Sequence, residues 1–248
     1  MVTIKKGNIF TTQAQTIVNT VNCVGVMGAG IAFEFRLRYP QMYQKYQELC
    51  FAKQISIGKL WIYPANDRLI LNFPTKQDWK FPSKKEYLHL GLQKFVQTYA
   101  SKNISSIAFP LLGADKGGID PNESLSIMRH YLEQCNCDVE IWQFDPLAED
   151  DLYASFKTLF SKVDNITLKN ESGIKPHIIL KIREAMKCDN IHSISGILRI
   201  KGVGEVSLEK LFHYVIHASK HPQSLFDFDE PFVLNSSQIL DTISHENS

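Results

Sequence analysis

Over its first 144 residues the chain alternates short, β-branched apolar runs with longer stretches of helical period. Few folds accept that order. Strands are predicted at residues 2–5, 17–21, 59–63, 69–73, 106–109 and 139–144, and helices at 30–51, 84–101 and 121–134. Two of those helices open on a capping-box pattern, Ser83-Lys-Lys-Glu86 and Asp120-Pro-Asn-Glu123, the latter with proline at the first helical position. Strands interspersed with helices in this way predict a three-layer α/β/α domain around a mixed, largely parallel sheet. Ligands of such sheets bind beyond the carboxyl ends of the strands.

After Phe144 the pattern changes. Residues 152–162 read as a helix, 164–175 as a polar linker, and from Pro176 helical periods dominate. Asp227-Phe-Asp-Glu-Pro231 reads as an acidic break before a polar, mobile tail. The expected division is an α/β domain over 1–150, a helix and linker over 151–175, and a smaller, mostly helical domain over 176–248. Its boundary falls between 146 and 172.

Two phosphate-type loops carry the functional signal. In Thr16-Ile-Val-Asn-Thr-Val-Asn-Cys-Val-Gly-Val-Met-Gly-Ala-Gly-Ile-Ala-Phe33 an apolar strand stops at Asn19 and Asn22, three glycines follow, and a helix begins. Glycine removes the Cβ that would hold a phosphate away, and a helix start offers unpaired N–H groups. The spacing is neither the dinucleotide fingerprint nor a P-loop, so one such loop also reads as a tight strand-to-helix connection. Phe109-Pro-Leu-Leu-Gly-Ala-Asp-Lys-Gly-Gly-Ile-Asp-Pro121 repeats the construction. As a pair the loops can clamp a diphosphate from both sides.

Between them Leu71-Asn-Phe-Pro-Thr-Lys76 is a strand ending in lysine. A lysine in a semi-enclosed cleft can serve as nucleophile or proton donor, whereas a solvated lysine after a strand is the plainer reading. The neighbouring residues favour the cleft. Trp79, Phe81 and Tyr87 interleave with Lys80, Lys84 and Lys85, a mixture that stacks a base and holds a backbone phosphate. The same aromatics could instead pack beneath the next helix.

Composition narrows the classes. Hydrophobic content is 44% and charged content 21%, no apolar run reaches the ~18 residues of a membrane span, and the first residues lack a signal-peptide core. Five scattered cysteines have neither zinc nor disulfide spacing, so free thiols in the cytoplasm and no metal are expected. With a net charge of +1, any nucleic-acid contact must be local.

Gly7-Asn8-Ile9, the run from Ile17 to Ala32, Asn-Phe-Pro-Thr-Lys76, and Pro-Leu-Leu-Gly113 with Gly-Gly-Ile-Asp120 together resemble a macrodomain. More narrowly they resemble the DNA ADP-ribosyl glycohydrolase antitoxins, which reverse ADP-ribosylation of thymidine by a partner toxin. The similarity spans residues 1–144. It implies that Asn8 and Ile9 lie by the adenine and that Asn19 and Thr75 line the ligand. The backbone of Val26, Met27, Gly28, Gly30 and Ile31 would hold the diphosphate and distal ribose, opposite Leu112, Gly113, Ala114, Asp115, Lys116, Gly117, Gly118 and Ile119. Asn22 would orient the scissile ribose, and Lys76 matches the catalytic lysine that attacks the anomeric carbon or assists loss of the base. No cofactor is implied. Asp115 departs from the small residue common there; it points to solvent or forms an acid/base pair with Lys76.

In the second domain, Leu198-Arg-Ile-Lys-Gly-Val-Gly-Glu-Val-Ser-Leu-Glu-Lys-Leu211 resembles a helix-hairpin-helix, which presents backbone N–H groups to a DNA phosphate. Leu208 stands where that motif has alanine. A helix C-cap followed by another helix is the competing reading. With Trp79 and Lys80, the residues Lys201, Gly202 and Gly204 are the candidate DNA contacts.

The expected function is hydrolytic removal of ADP-ribose from ADP-ribosylated nucleic acid, thymidine in DNA, reversing a toxin-type ADP-ribosyltransferase. The alternatives are a non-catalytic ADP-ribose-binding module and an antitoxin that acts by binding its toxin.

Overall fold

The computed structural model describes residues 1–187 and 191–220; the expected acidic break at 227–231 and the polar tail lie outside them. Six strands form one sheet: β1 (Val2–Gly7), β2 (Thr16–Val21), β3 (Trp61–Pro64), β4 (Leu69–Pro74), β5 (Ser106–Pro110) and β6 (Asp138–Phe144). Their spatial order is β1-β6-β5-β2-β4-β3. Every neighbouring pair is parallel except β3 with β4, so the sheet is mixed only at its edge.

Strand alternation sends successive side chains to opposite faces. Val18, Leu71, Phe73, Ile107 and Phe109 enter one core with Leu88, Leu92 and Phe95 of α3 (Lys85–Thr98) and Met128 and Leu132 of α4 (Pro121–Leu132). Ile17, Val21, Ile70 and Ala108 enter the other with Phe35 of α1 (Gly30–Arg38) and Met42 and Tyr46 of α2 (Pro40–Phe51). The result is the expected three-layer α/β/α architecture.

Three local expectations are corrected. The helix predicted over 30–51 breaks at Tyr39 (φ −133, ψ 67), because Pro40 drives the preceding residue out of the helical region. Lys84, not Ser83, stands before α3 and contributes no side-chain cap; the Ser83 N–H instead donates to Gly117 O at 2.9 Å. Asp120 does cap α4, accepting from Asn122 and Glu123 N–H at 2.9 and 3.1 Å. Residues 164–175, expected as a linker, contain helix α6 (Asn165–Ser172) between α5 (Tyr153–Lys162) and α7 (Pro176–Met186). Asp164 caps it and Gly173 closes it in the left-handed region at φ +64. It escaped the periodicity because only Leu168 is buried.

Gly91 on α3 fixes how closely that helix lies on β4. A Cβ there would sit 2.2 Å from the Phe73 ring. Gly91→Ala is therefore expected to lower stability by about 3 kcal/mol, the upper range for overpacking. A denaturant midpoint equal to wild type would contradict this.

Residues Met1–Ile216 form one compact unit and a second begins at His217, inside α8 (Glu205–Lys220). Within the first unit the helical segments dock on α1 through two arginines. Arg38, 6% exposed, pairs with Glu34 at 2.7 Å and Asp151 at 2.8 Å, and lies 4.0 Å from Asp150. Its guanidinium covers the Phe10 ring and reaches Phe212 of α8. Arg36 pairs with Glu209 at 2.5 Å and Glu205 at 3.2 Å, both on α8.

Burial pushes the Asp150 carboxyl up to about 6, with Arg38 opposing and Glu34 adding to the rise. The folded chain thus holds this proton more tightly than the unfolded chain, whose ordinary value is 3.8. The associated stability is present at low pH and is lost as pH rises through about 6. From pH 7 to 5 the urea midpoint should rise, and Asp150→Asn should flatten that rise. An unchanged slope in the variant would assign it to another group.

Candidate active site

β2 delivers Asn22 to the carboxyl edge of the sheet, where its side chain organises the first loop. Asn22 Oδ1 accepts from the N–H groups of Val24 (3.0 Å) and Val26 (3.3 Å), while Nδ2 donates to Val26 O at 2.5 Å. The Tyr46 hydroxyl stands 2.8 Å from Asn22 O and 3.1 Å from its Oδ1. Asn22 is thus the internal tie of a loop that turns at Gly25 (φ +82). Val26 is half-buried and Met27 fully buried, whereas Gly28, Ala29 and Gly30 are exposed. Ala29 precedes α1 in extended conformation with no side chain to cap it, so the first-turn N–H groups are presented outward with the positive end of the helix dipole.

The second loop follows β5. It turns left-handed at Gly113 (φ +66) and Gly118 (φ +79), and Ile119 N donates back to Gly113 O at 2.9 Å. At Gly118 nothing lies within 4 Å of where a Cβ would be, so this backbone is open to a ligand. The two loops face each other closely. A Cβ on Gly30 would lie 3.8 Å from Lys116 Cγ and 4.0 Å from Asp115 Oδ2. Asp115 is exposed, and it lies on the rim against the start of α1.

Lys76 stands between them. Val21 of β2 is in register with Pro74 of β4, and beyond that pair the N–H groups of Thr75 and Lys76 reach back to Val21 O at 2.9 and 3.4 Å. Cys23 N then donates to Gln77 O at 3.2 Å, tying this segment to the first loop. On its other side Lys76 Nζ donates to Lys116 O at 2.6 Å, in the second loop. The half-buried lysine is thereby held over the gap between two rows of glycine backbone. The nearby Cys23 thiol is pushed up to about 11 by burial and by Cys50, which keeps it protonated.

Other expected residues lie elsewhere. Asn19 is 0% exposed and donates to Asn72 Oδ1 at 2.9 Å; it supports the loop from below, beside Met27, and does not line an open surface as expected. Thr75 and Leu112 are buried as side chains. Asn8 caps the turn Ile9–Thr11 by accepting from Phe10 N–H at 3.1 Å, and both Asn8 and Ile9 are buried just after β1, which β6 and β5 separate from β2. Trp79 is exposed, with Lys80 Nζ 5.6 Å from its ring centroid. In the helical segments Lys201, Gly202 (φ +89) and Gly204 are exposed and Val203 and Leu208 are buried. The element ahead of this hairpin is the five-residue 3-10 turn Ser195–Arg199, not an α-helix, so the expected pair of α-helices is not reproduced. Sequence reading missed Asn72, Tyr46 and Arg36, whose roles arise from register and cross-element contact. Among the described residues no group of three or more His, Cys, Asp or Glu could hold a metal ion, and no helix is long and apolar enough to cross a membrane.

Residues 18–128 match the pattern of the Macro domain family. A DNA ADP-ribosyl glycohydrolase of Mycobacterium tuberculosis is 40% identical over 124 residues, covering 48% of this chain and 35% of that protein. One from Thermus aquaticus is 38% identical over 146 residues, 57% of this chain and 40% of that protein. The solved macrodomain of Mycobacterium tuberculosis DarG has a TM-score of 0.55 at 37% identity, covering 57% of this chain and 97% of that one. Thermosipho africanus DarTG, solved in complex with ADP-ribose, has a TM-score of 0.53 at 31% identity, covering 56% of this chain and 40% of that one. The chain spans between 35% and 40% of the length of these curated relatives. With a solved macrodomain covered almost end to end and the two glycine loops in place around Lys76, the chain belongs to the macrodomain family.

Proposed function

We propose that this protein hydrolyses the bond between ADP-ribose and a nucleic-acid base, thymidine in DNA, and so reverses the action of a DNA ADP-ribosyltransferase toxin. The observation that carries this is Lys76, held between the two glycine loops by its bond to Lys116 O. Backbone N–H groups of the loops would bind the diphosphate, which leaves the distal ribose beside Asn22 and its anomeric carbon toward Lys76. The ammonium can protonate or electrostatically stabilise the departing base, or the free amine can attack the anomeric carbon; water completes the hydrolysis. The relatives named DNA ADP-ribosyl glycohydrolase support the substrate class, and the ADP-ribose complex of the Thermosipho africanus protein supports the ligand. A fusion of transferase and glycohydrolase in that organism supports a transferase partner. We also assign DNA contact to Trp79 and Lys80 and to the exposed hairpin backbone at Lys201, Gly202 and Gly204.

The test is incubation of a single-stranded oligonucleotide carrying one ADP-ribosylated thymidine, followed by mass spectrometry. Free ADP-ribose and unmodified oligonucleotide are the expected products. Tight binding of ADP-ribose without any release would instead identify a reader module.

A further inference from the structure

A cavity of about 720 Å³ lies between the start of the first glycine loop and the end of α2. Its walls include Cys23, Gly25, Gln47, Phe51, Lys53 and Gln77. That volume lies within the few hundred to ~1,000 Å³ range of small-molecule sites, and it is not part of the gap between the loops. Two of its lining residues are chain neighbours of residues at that gap. Gln77 directly follows Lys76, its carbonyl takes the Cys23 N–H at 3.2 Å, and Cys23 directly follows Asn22.

We infer that this cavity holds the nucleotide next to the modified base in a single-stranded nucleic acid. The inference rests on the functional reading above and names the part of its substrate that lies beyond ADP-ribose. With ADP-ribose between the loops and its anomeric carbon at Lys76, the very next residue, Gln77, already lines the cavity. The lining chemistry fits a nucleotide. Gln47 and Gln77 supply carboxamides that pair with base edges. Phe51 ends α2 with its ring 93% exposed, a cost that a stacked base would recover. Lys53 stands beside it, held in the left-handed region at φ +57, and offers a charge to a backbone phosphate. Trp79 and Lys80, two and three residues beyond Gln77, form a second stacking platform on the same segment. Two exposed aromatic rings, Phe51 in the cavity wall and Trp79 on the segment that follows Lys76, are the surfaces on which successive bases can stack.

The test uses the full chain carrying Gln47→Ala, Phe51→Ala and Lys53→Asn together. All three side chains are exposed, and asparagine suits the left-handed position. Against an ADP-ribosylated oligonucleotide of about ten nucleotides, KM should rise about tenfold, the scale of losing one stacked base, with kcat preserved. Affinity for free ADP-ribose and turnover of ADP-ribosyl-thymidine nucleoside should stay at wild-type values, which also reports on folding. Fluorescence anisotropy with an unmodified thymidine oligonucleotide should show weaker binding by the variant. Equal oligonucleotide affinity and KM in the two proteins would overturn the assignment. Should the wild type release no ADP-ribose from either substrate, the functional reading falls, while anisotropy still decides the cavity.

Discussion

Lys76→Ala is expected to lower kcat for release of ADP-ribose from an oligonucleotide by at least about 100-fold, the low end of what a positioned proton-transfer group contributes. ADP-ribose affinity should change little, because on the proposed reading the diphosphate would be held by backbone N–H groups of the two loops. The basis is positional. The β2–β4 register carries the lysine to the sheet edge, and its Nζ then crosses to Lys116 O at 2.6 Å. Alanine removes the only atoms of that side chain that reach the gap. Lys76→Arg adds resolution: it keeps a charge but loses the primary amine, so rescue would favour an electrostatic role and no rescue a nucleophilic one. Turnover by Lys76→Ala at the wild-type rate would remove the lysine from the mechanism.

Gly117→Ala should weaken ADP-ribose binding by about 30-fold or more, corresponding to the 2–3 kcal/mol of a severe overpacking change. A Cβ at this position would lie 2.2 Å from Gly113 O, 2.6 Å from Gly113 C and 2.6 Å from Ser83 Oγ. Two of those obstacles are backbone, so relief requires the loop to open. That would disturb the Ile119 N–H bond to Gly113 O and the Ser83 N–H bond to Gly117 O, which hold its shape. Gly118→Ala provides the contrast. Its Cβ meets open space but its φ is +79, so the cost is backbone strain of about 1–2 kcal/mol. Titration calorimetry with ADP-ribose on both variants would rank them. A Gly117→Ala protein that binds as well as wild type would show that the second loop does not carry the diphosphate.

The periodic elements were legible because they are local. All six strands overlap the apolar runs that predicted them, and Asp120 caps α4 as its pattern predicted. What misled was also local. Pro40 was visible but its effect on Tyr39 was overridden by the apolar pattern running through it. Ser83 has the right spacing for a cap, yet a tertiary bond to Gly117 O claims its N–H. Polar α6 hid because one buried leucine makes no stripe. Within the site, the two loops and Lys76 could be chosen from residue type alone. Their meeting could not, since it depends on β2 lying between β5 and β4. The same limit separates the two strand asparagines. Only the fold shows that Asn19 faces Asn72 inside the sheet whereas Asn22 ties the loop together.

Arg36 gives the arrangement a thermodynamic corollary. Its guanidinium pairs with Glu205 and Glu209 of α8 and also stands 3.5 Å from Met27 O, in the loop that leads to α1. One side chain therefore reports on both the helical segments and the ligand loop. If release of Arg36 by α8 also loosens its contact with Met27 O, a macromolecule that favours that release would change the loop offered to ADP-ribose. Linkage makes the effect reciprocal: ADP-ribose must then alter the affinity for that macromolecule by the same factor. Arg36 is thus the contact through which occupancy of the cleft and engagement of the helices would be coupled.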